Sequence, residues 1–211
     1  MPFKLKYAAT DAVRNHNLPY RLLESTSVAI QVGAPRDTLR SGRSRAMAFA
    51  RRTRPNGRLL VVEPDATSSA EFRRTAERQG MDHVVVITAA AWNERSTLAI
   101  EIDPQHPATN FTSGAATYSA EEMTRFREVT VDAVPVDELI EEAGLGHVDL
   151  VSITTNGAER EILAGLKRTL ERDRPYVCLA RTEDSYSELM ANLGYQLLGQ
   201  DDRGFTFRHG G

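Results

Sequence analysis

Short runs of β-branched and aliphatic residues alternate along the chain with stretches in which apolar side chains recur every three or four positions. That is the pattern of βαβ units and a mostly parallel sheet. Five runs read as strands, at residues 28–32, 59–63, 84–88, 148–153 and 176–180. Each is apolar at nearly every position, as expected of strands covered on both faces. Val136, Leu139, Ile140 and Ala143 fall on one helical face, as do Tyr186, Leu189, Met190 and Leu193. Ile162, Leu163, Leu166 and Leu170 mark a third helix, ending before Arg174-Pro175 because the proline ring disfavours helical geometry in the residue ahead of it. Near the end, runs at 194–198 and 204–207 flank the turn-rich segment 200–203, predicting an antiparallel hairpin. Five parallel strands and this hairpin make a seven-stranded α/β sheet. Residues 101–127 break the alternation, with turn chemistry at Asp103-Pro104, His106-Pro107 and Ser113-Gly114. They are expected to form a long connection acting as a lid or acceptor-binding loop. Residues 1–27 read as a weakly patterned lead-in with room for one helix, ahead of a single domain over 28–211.

Composition excludes more than it selects. A chain of 211 residues suits one α/β domain with a full core. The balance of 26 basic and 29 acidic residues leaves a net charge of −3, too little for a global field that would draw the protein onto nucleic acid or an anionic membrane. No apolar run approaches the roughly 18 residues that span a bilayer. Met1 to Lys6 lack the apolar core of a secretory signal, so a cytoplasmic protein is expected. The sole cysteine, Cys178, lies in an apolar run and reads as a buried structural thiol. Eight arginines lie between Arg36 and Arg58. Such a cluster could hold an anionic acceptor, a lipid head group or RNA phosphate, but a solvated helix face paired with nearby acids is the preferred reading. Nucleic acid is not favoured, and a homodimer is compatible with the sequence.

In open parallel sheets, ligands bind beyond the carboxyl ends of the strands, where strand order reverses. Gly33 ends the first strand without a side chain, leaving either a tight turn or close approach of a ligand to the backbone. Glu63 ends the second, where a carboxylate can accept hydrogen bonds from both hydroxyls of a ribose; a solvent-facing or helix-capping role is the weaker alternative. The chain contains neither GxGxxG nor GxxxxGK[ST], so a dinucleotide cradle and a phosphate loop are unsupported. His83, His147 and His209 show no metal-ligand spacing, and no metal is expected to be required.

Several ordered blocks together are similar to the FkbM family of methyltransferases. They are Val32-Gly33-Ala34, Val62-Glu63-Pro64, the segment 131–139, Asn156-Gly157-Ala158-Glu159 before Ile162-Leu163-Ala164-Gly165, Arg174-Pro175-Tyr176-Val177 and Leu193-Gly194-Tyr195. The resemblance implies a Rossmann-like class I methyltransferase fold that binds S-adenosylmethionine and methylates a hydroxyl of a sugar, glycolipid or small natural product. By position it implies Gly33 and Ala34 at the methionine end of the cofactor, Glu63 at the ribose, and Asp82, His83, Ala90 and Ala91 near the adenine. The chain also departs from that family. Gln31 replaces the usual acid ahead of the glycine, Pro35 replaces the usual asparagine, and a Lys-Ile-Asp-Val-Glu-Gly block reads Ser152-Ile153-Thr154-Thr155-Asn156-Gly157. Three ionisable positions are thereby neutral, leaving Thr154 and Asn156 to orient an acceptor by hydrogen bonds. His106, with Asp103 three residues before it, is the candidate general base if the long connection folds over the site, against the blander reading of an exposed loop histidine. The same losses support a second reading, a catalytically weak or inactive binding or regulatory module that keeps the fold.

Overall fold

The computed structural model describes residues 14–113, 118–181 and 186–211. The strands of the main sheet are β1 (Val28–Val32), β2 (Arg58–Val62), β3 (Val84–Ile87), β8 (Leu150–Ile153), β9 (Tyr176–Ala180), β10 (Tyr195–Gln200) and β11 (Gly204–His209). Their spatial order is β3-β2-β1-β8-β9-β11-β10, with the first five parallel, β11 antiparallel to both of its neighbours and β10 running with the first five. The chain leaves β1 toward β3 on one side and returns through β8 toward β9 on the other. The reversal therefore falls between β1 and β8, whose paired residues run from Ala29 opposite Leu150 to Val32 opposite Ile153.

Alternate residues of these strands feed two cores, one on each face. Ile30, Val32, Leu60, Val62, Val151 and Ile153 pack into one. Ala29, Leu59, Val61, Leu150 and Cys178 pack into the other, against Phe49 and Phe72. Both phenylalanines are fully buried, and truncating either to alanine would cost about 3–5 kcal/mol. The Phe49 side comes from α1 (Arg36–Arg40), α2 (Arg45–Arg52) and α3 (Ala66–Arg78). Asp65 caps α3, its carboxylate accepting from the backbone N–H groups of Thr67 and Ser68, both at 3.1 Å.

Two features depart from the sequence expectation. Residues 101–127 are not one long connection. Their two ends and a short middle strand belong to a second sheet of β4 (Ala90–Trp92), β5 (Ser96–Ile102), β6 (Phe111–Thr112) and β7 (Arg127–Pro135), ordered β4-β7-β5-β6, with α4 (Ala120–Met123) before β7 and residues 114–117 outside the described part. Leu98 and Ile100 of β5 face Val131 and Val129 of β7 across an antiparallel register. The helix expected across Ile162 and Leu170 is two, α6 (Glu159–Ala164) and α7 (Lys167–Asp173). They break at Gly165, where a Cβ would stand 1.9 Å from the carbonyl oxygen of Trp92, so the chain passes β4 without room for a side chain. The helices α5 (Val136–Glu142) and α8 (Ser187–Asn192) lie where the periodicity places them. In the lead-in, the described residues include a short turn of 3₁₀ helix, Tyr20–Leu22; residues 1–13 lie outside the described part. No helix among the described residues is long and apolar enough to cross a membrane.

Candidate functional site

The carboxyl ends of β1 and β8 meet at Gly33. Its φ is +85°, and a Cβ there would stand 2.5 Å from the backbone oxygen of Thr154. Glycine is thus required by the crossing of two backbones. Beneath it lies Gln31, fully buried, which donates from Nε2 to Thr154 Oγ1 at 2.7 Å and to the carbonyl oxygens of Val32 and Gly33 at 2.8 and 2.9 Å. Thr154 is therefore committed to this knot, and its hydroxyl faces Val32 O at 3.3 Å.

Glu63 is buried, with 4% of its surface exposed. Its Oε2 accepts from the N–H of Ala34 at 2.6 Å, and its Oε1 from the N–H of Asp65 at 2.9 Å. The carboxylate thus ties the turn after β1 to the turn after β2. Burial pushes its pKa up to about 7, against the lowering effect of these two N–H donors.

Two clefts open on either side of the Gly33 crossing. The first, about 510 Å³, has a mostly apolar wall that includes Val32, Ala90, Ala91, Trp92, Phe111 and Ile162. One donor in its wall lacks a partner: Asn110 Nδ2 is buried and makes no hydrogen bond. The second, about 740 Å³, is polar, and its wall includes Thr38, Ser44, Arg45, Thr154, Arg181 and Arg203. Gly33, Thr155 and Asn156 belong to both.

A strap crosses beside the shared residues. The 3₁₀ turn Pro107–Thr109 is held by Asn156, whose Nδ2 donates to Ala108 O at 3.0 Å and to Asn110 O at 2.7 Å. Asp103 shapes the approach, accepting from the N–H groups of Gln105 and His106 at 2.8 and 3.0 Å. Asn156 is therefore a latch on the strap. His106 precedes the turn with its side chain 66% exposed, its Nδ1 3.5 Å from Asp103 Oδ2, and it lines neither cleft.

The structure gathers Gly33, Ala34, Glu63, Ala90, Ala91, Thr154 and Asn156 around the switch point but not Asp82 or His83. Those two precede β3 at its amino end, where the His83 carbonyl accepts from Leu59 N–H and the ring Nε2 lies 2.8 Å from Ala50 O. The length of the strand separates them from the clefts, and neither residue lines either one. The arginines between Arg36 and Arg58 do not share one surface either. Arg40 pairs with Glu71 and Arg36 approaches Asp65. Arg45 is buried, with its side chain 2% exposed, against Asp201 at 2.7 Å and Asp202 at 2.5 Å, and its Nη1 donates to Ser152 Oγ at 3.3 Å. Burial alone would lower the Arg45 pKa, but the two carboxylates outweigh it and raise it. Sequence reasoning missed Trp92, Asn110, Arg181 and Arg203 as lining residues, and took Arg45 only as one of a cluster of eight arginines. Trp92, the only tryptophan, directly after two alanines already singled out, was a usable signal.

The family model described as the methyltransferase FkbM domain matches residues 31–206. Among solved structures, methyltransferase FkbM from Methylobacillus flagellatus KT superposes with a TM-score of 0.56 at 13% identity, over 88% of this chain and 44% of that one. Aeropyrum pernix fibrillarin, solved with natively bound S-adenosyl-L-methionine, superposes with a TM-score of 0.51 at 12% identity, over 95% and 73%. No curated protein sequence matches the chain. At such identities the structural likeness speaks for the fold alone, and the chain spans under half the length of the first of these relatives. Sheet order and switch point define a Rossmann-like, class I methyltransferase fold. Within that class, the chain belongs to the methyltransferase FkbM domain family.

Proposed function

We propose that the protein is an S-adenosylmethionine-dependent methyltransferase acting on a hydroxyl of a sugar, glycolipid or small natural product. The observation that carries this reading is the apolar cleft at the β1/β8 switch point, with an unpartnered donor in its wall, in a chain of the FkbM family. An apolar wall with one placed donor suits a purine ring, which offers flat faces and nitrogen acceptors. Val32, Ala90, Ala91, Trp92 and Ile162 would enclose the adenine, and Asn110 Nδ2 would donate to it. Glu63, beside the lining residue Pro64 but itself in neither wall, would reach the ribose with the lone pairs its two backbone donors leave, and Gly33 and Ala34 would border the methionine portion.

When bound, S-adenosylmethionine supplies an electrophilic methyl group on a sulfonium. The chain's own residues then have one main task, which is alignment. Thr155 and Asn156 stand in the wall of both clefts and would set the acceptor hydroxyl in line. Among the described residues that line either cleft, none is His, Asp or Glu. With no such side chain in either wall, the acceptor's proton would be left to solvent reached through the polar cleft, and the chain's contribution would be the positioning of the hydroxyl. The same lack of a base favours one other reading, a binding module that holds the cofactor without turning it over.

Trp92 makes the test direct. Titration with S-adenosylhomocysteine should change its fluorescence saturably, with one site by calorimetry. Absence of binding at millimolar ligand would overturn the proposal; binding without turnover across a panel of hydroxyl acceptors would favour the module.

A further inference from the structure

The polar cleft carries more positive charge than its neighbours neutralise. Three arginines line it: Arg45, Arg181 and Arg203. Arg45 is matched by Asp201 and Asp202. Among the described residues the other two have no such match. Arg181 stacks over Phe205, its guanidinium carbon 5.2 Å from the ring centroid, and Arg203 donates from Nη2 to the carbonyl oxygen of Arg43 at 3.0 Å. Neither makes an ion pair with a carboxylate among the described residues. Both anchors leave guanidinium N–H groups over, since Arg carries five donors and these contacts occupy one or none.

The remaining wall points the same way. Ser44 and Arg45 begin the eight-residue helix α2, so its positive end faces the cleft. The hydroxyls of Thr38, Thr154 and Thr155 are spent on Pro35 O, Val32 O and Glu159 Oε1, so the arginines are the donors left to an anion, and no carboxylate belongs to the wall among the described residues. A neutral sugar would leave both guanidinium groups, Arg181 exposed and Arg203 half-buried, without a counter-charge at the cleft. A phosphate or carboxylate group would satisfy both through charge-assisted hydrogen bonds.

We infer that this cleft recognises an anionic acceptor, one bearing a phosphate or carboxylate held by Arg181 and Arg203 while its hydroxyl lies toward Asn156. The inference rests on the methyltransferase reading for the word acceptor; the anion site itself does not. Its chemistry could also be met by the carboxylate of the cofactor's own methionine portion, and the experiment separates the two.

Protein saturated with S-adenosylhomocysteine, and protein without it, would be titrated calorimetrically with glucose 6-phosphate, inorganic phosphate and glucose. The two anions should bind and glucose should not. Arg181→Gln and Arg203→Gln should each weaken anion binding about tenfold. Arg58→Gln, which removes the same charge at the amino end of β2, should leave it unchanged. No anion binding, or equal losses in all three variants, would overturn the site. A parallel tenfold loss of S-adenosylhomocysteine affinity in Arg181→Gln and Arg203→Gln would overturn the acceptor assignment in favour of the cofactor carboxylate. Failure of the wild type to bind S-adenosylhomocysteine would remove the methyltransferase reading, while the titration of the unliganded protein would still decide the anion site.

Discussion

Replacing Gly33 by alanine tests the backbone crossing on which both clefts depend. Two costs add. A side chain at φ +85° carries conformational strain of about 1–2 kcal/mol. The new Cβ would also stand 2.5 Å from Thr154 O and 3.3 Å from its carbonyl carbon, both backbone atoms that no rotamer can move. Relief requires β1 and β8 to part at their carboxyl ends, which weakens the bond from Thr154 N–H to Val32 O at 3.0 Å, worth about 1 kcal/mol. The expected destabilisation is about 3 kcal/mol. Gly80 supplies the control: its φ is +62°, but no atom lies within 4 Å of a Cβ there, so Gly80→Ala carries the strain alone, about 1–2 kcal/mol. Urea unfolding of the two variants gives the comparison, with midpoint and slope read separately. Equal losses would refute the steric half of the reasoning. Binding of S-adenosylhomocysteine should also weaken in Gly33→Ala and persist in Gly80→Ala.

Other outcomes follow from single contacts. Because burial raises Glu63 from 4.5 to about 7, the folded state binds the extra proton between those values; stability therefore falls as pH rises through that window, by up to about 3 kcal/mol. Glu63→Gln should abolish this difference in unfolding free energy between pH 5 and pH 8, and an unchanged slope would assign it elsewhere. Asn156→Ala removes two latch bonds, together about 1–2 kcal/mol, so the amides of Thr109 and Asn110 should exchange roughly 5–30 times faster; exchange at the wild-type rate would mean the strap holds itself. Arg45→Met leaves Asp201 buried without its cation and should destabilise by about 3–5 kcal/mol in thermal or urea unfolding, whereas a loss under 1 kcal/mol would show that the N–H donors of Arg203 and Gly204 suffice.

The main sheet was legible because its inner strands β1, β2, β8 and β9 are buried on both faces, which writes them as continuous apolar runs. The second sheet was missed for the opposite reason. Its strands are half-buried and carry period-two alternation, Leu98, Ile100 and Ile102 in β5 and Val129, Val131 and Ala133 in β7, diluted by the turn chemistry between them. The break at Gly165 was invisible because apolar periodicity continues across it; only the approach of Trp92 explains the glycine. Around the site, strand-end positions such as Gly33 and Glu63 followed from topology. Asp82 and His83 did not, since proximity in sequence to a strand says nothing about which end of it faces the ligand. Arg45, Arg181 and Arg203 meet only through tertiary packing of three separate segments, which no local pattern records.

The exchange at Ser152 makes the order of substitution matter. The family block that this segment resembles carries a lysine there, yet the serine hydroxyl now accepts from a guanidinium that enters from α2 and is locked to two aspartates. One buried space cannot house both cations. A lysine restored at position 152 would be disruptive in the present background and tolerable only once Arg45 had changed. The side chain tolerated at either position thus depends on the other, although the two are 107 positions apart in the chain.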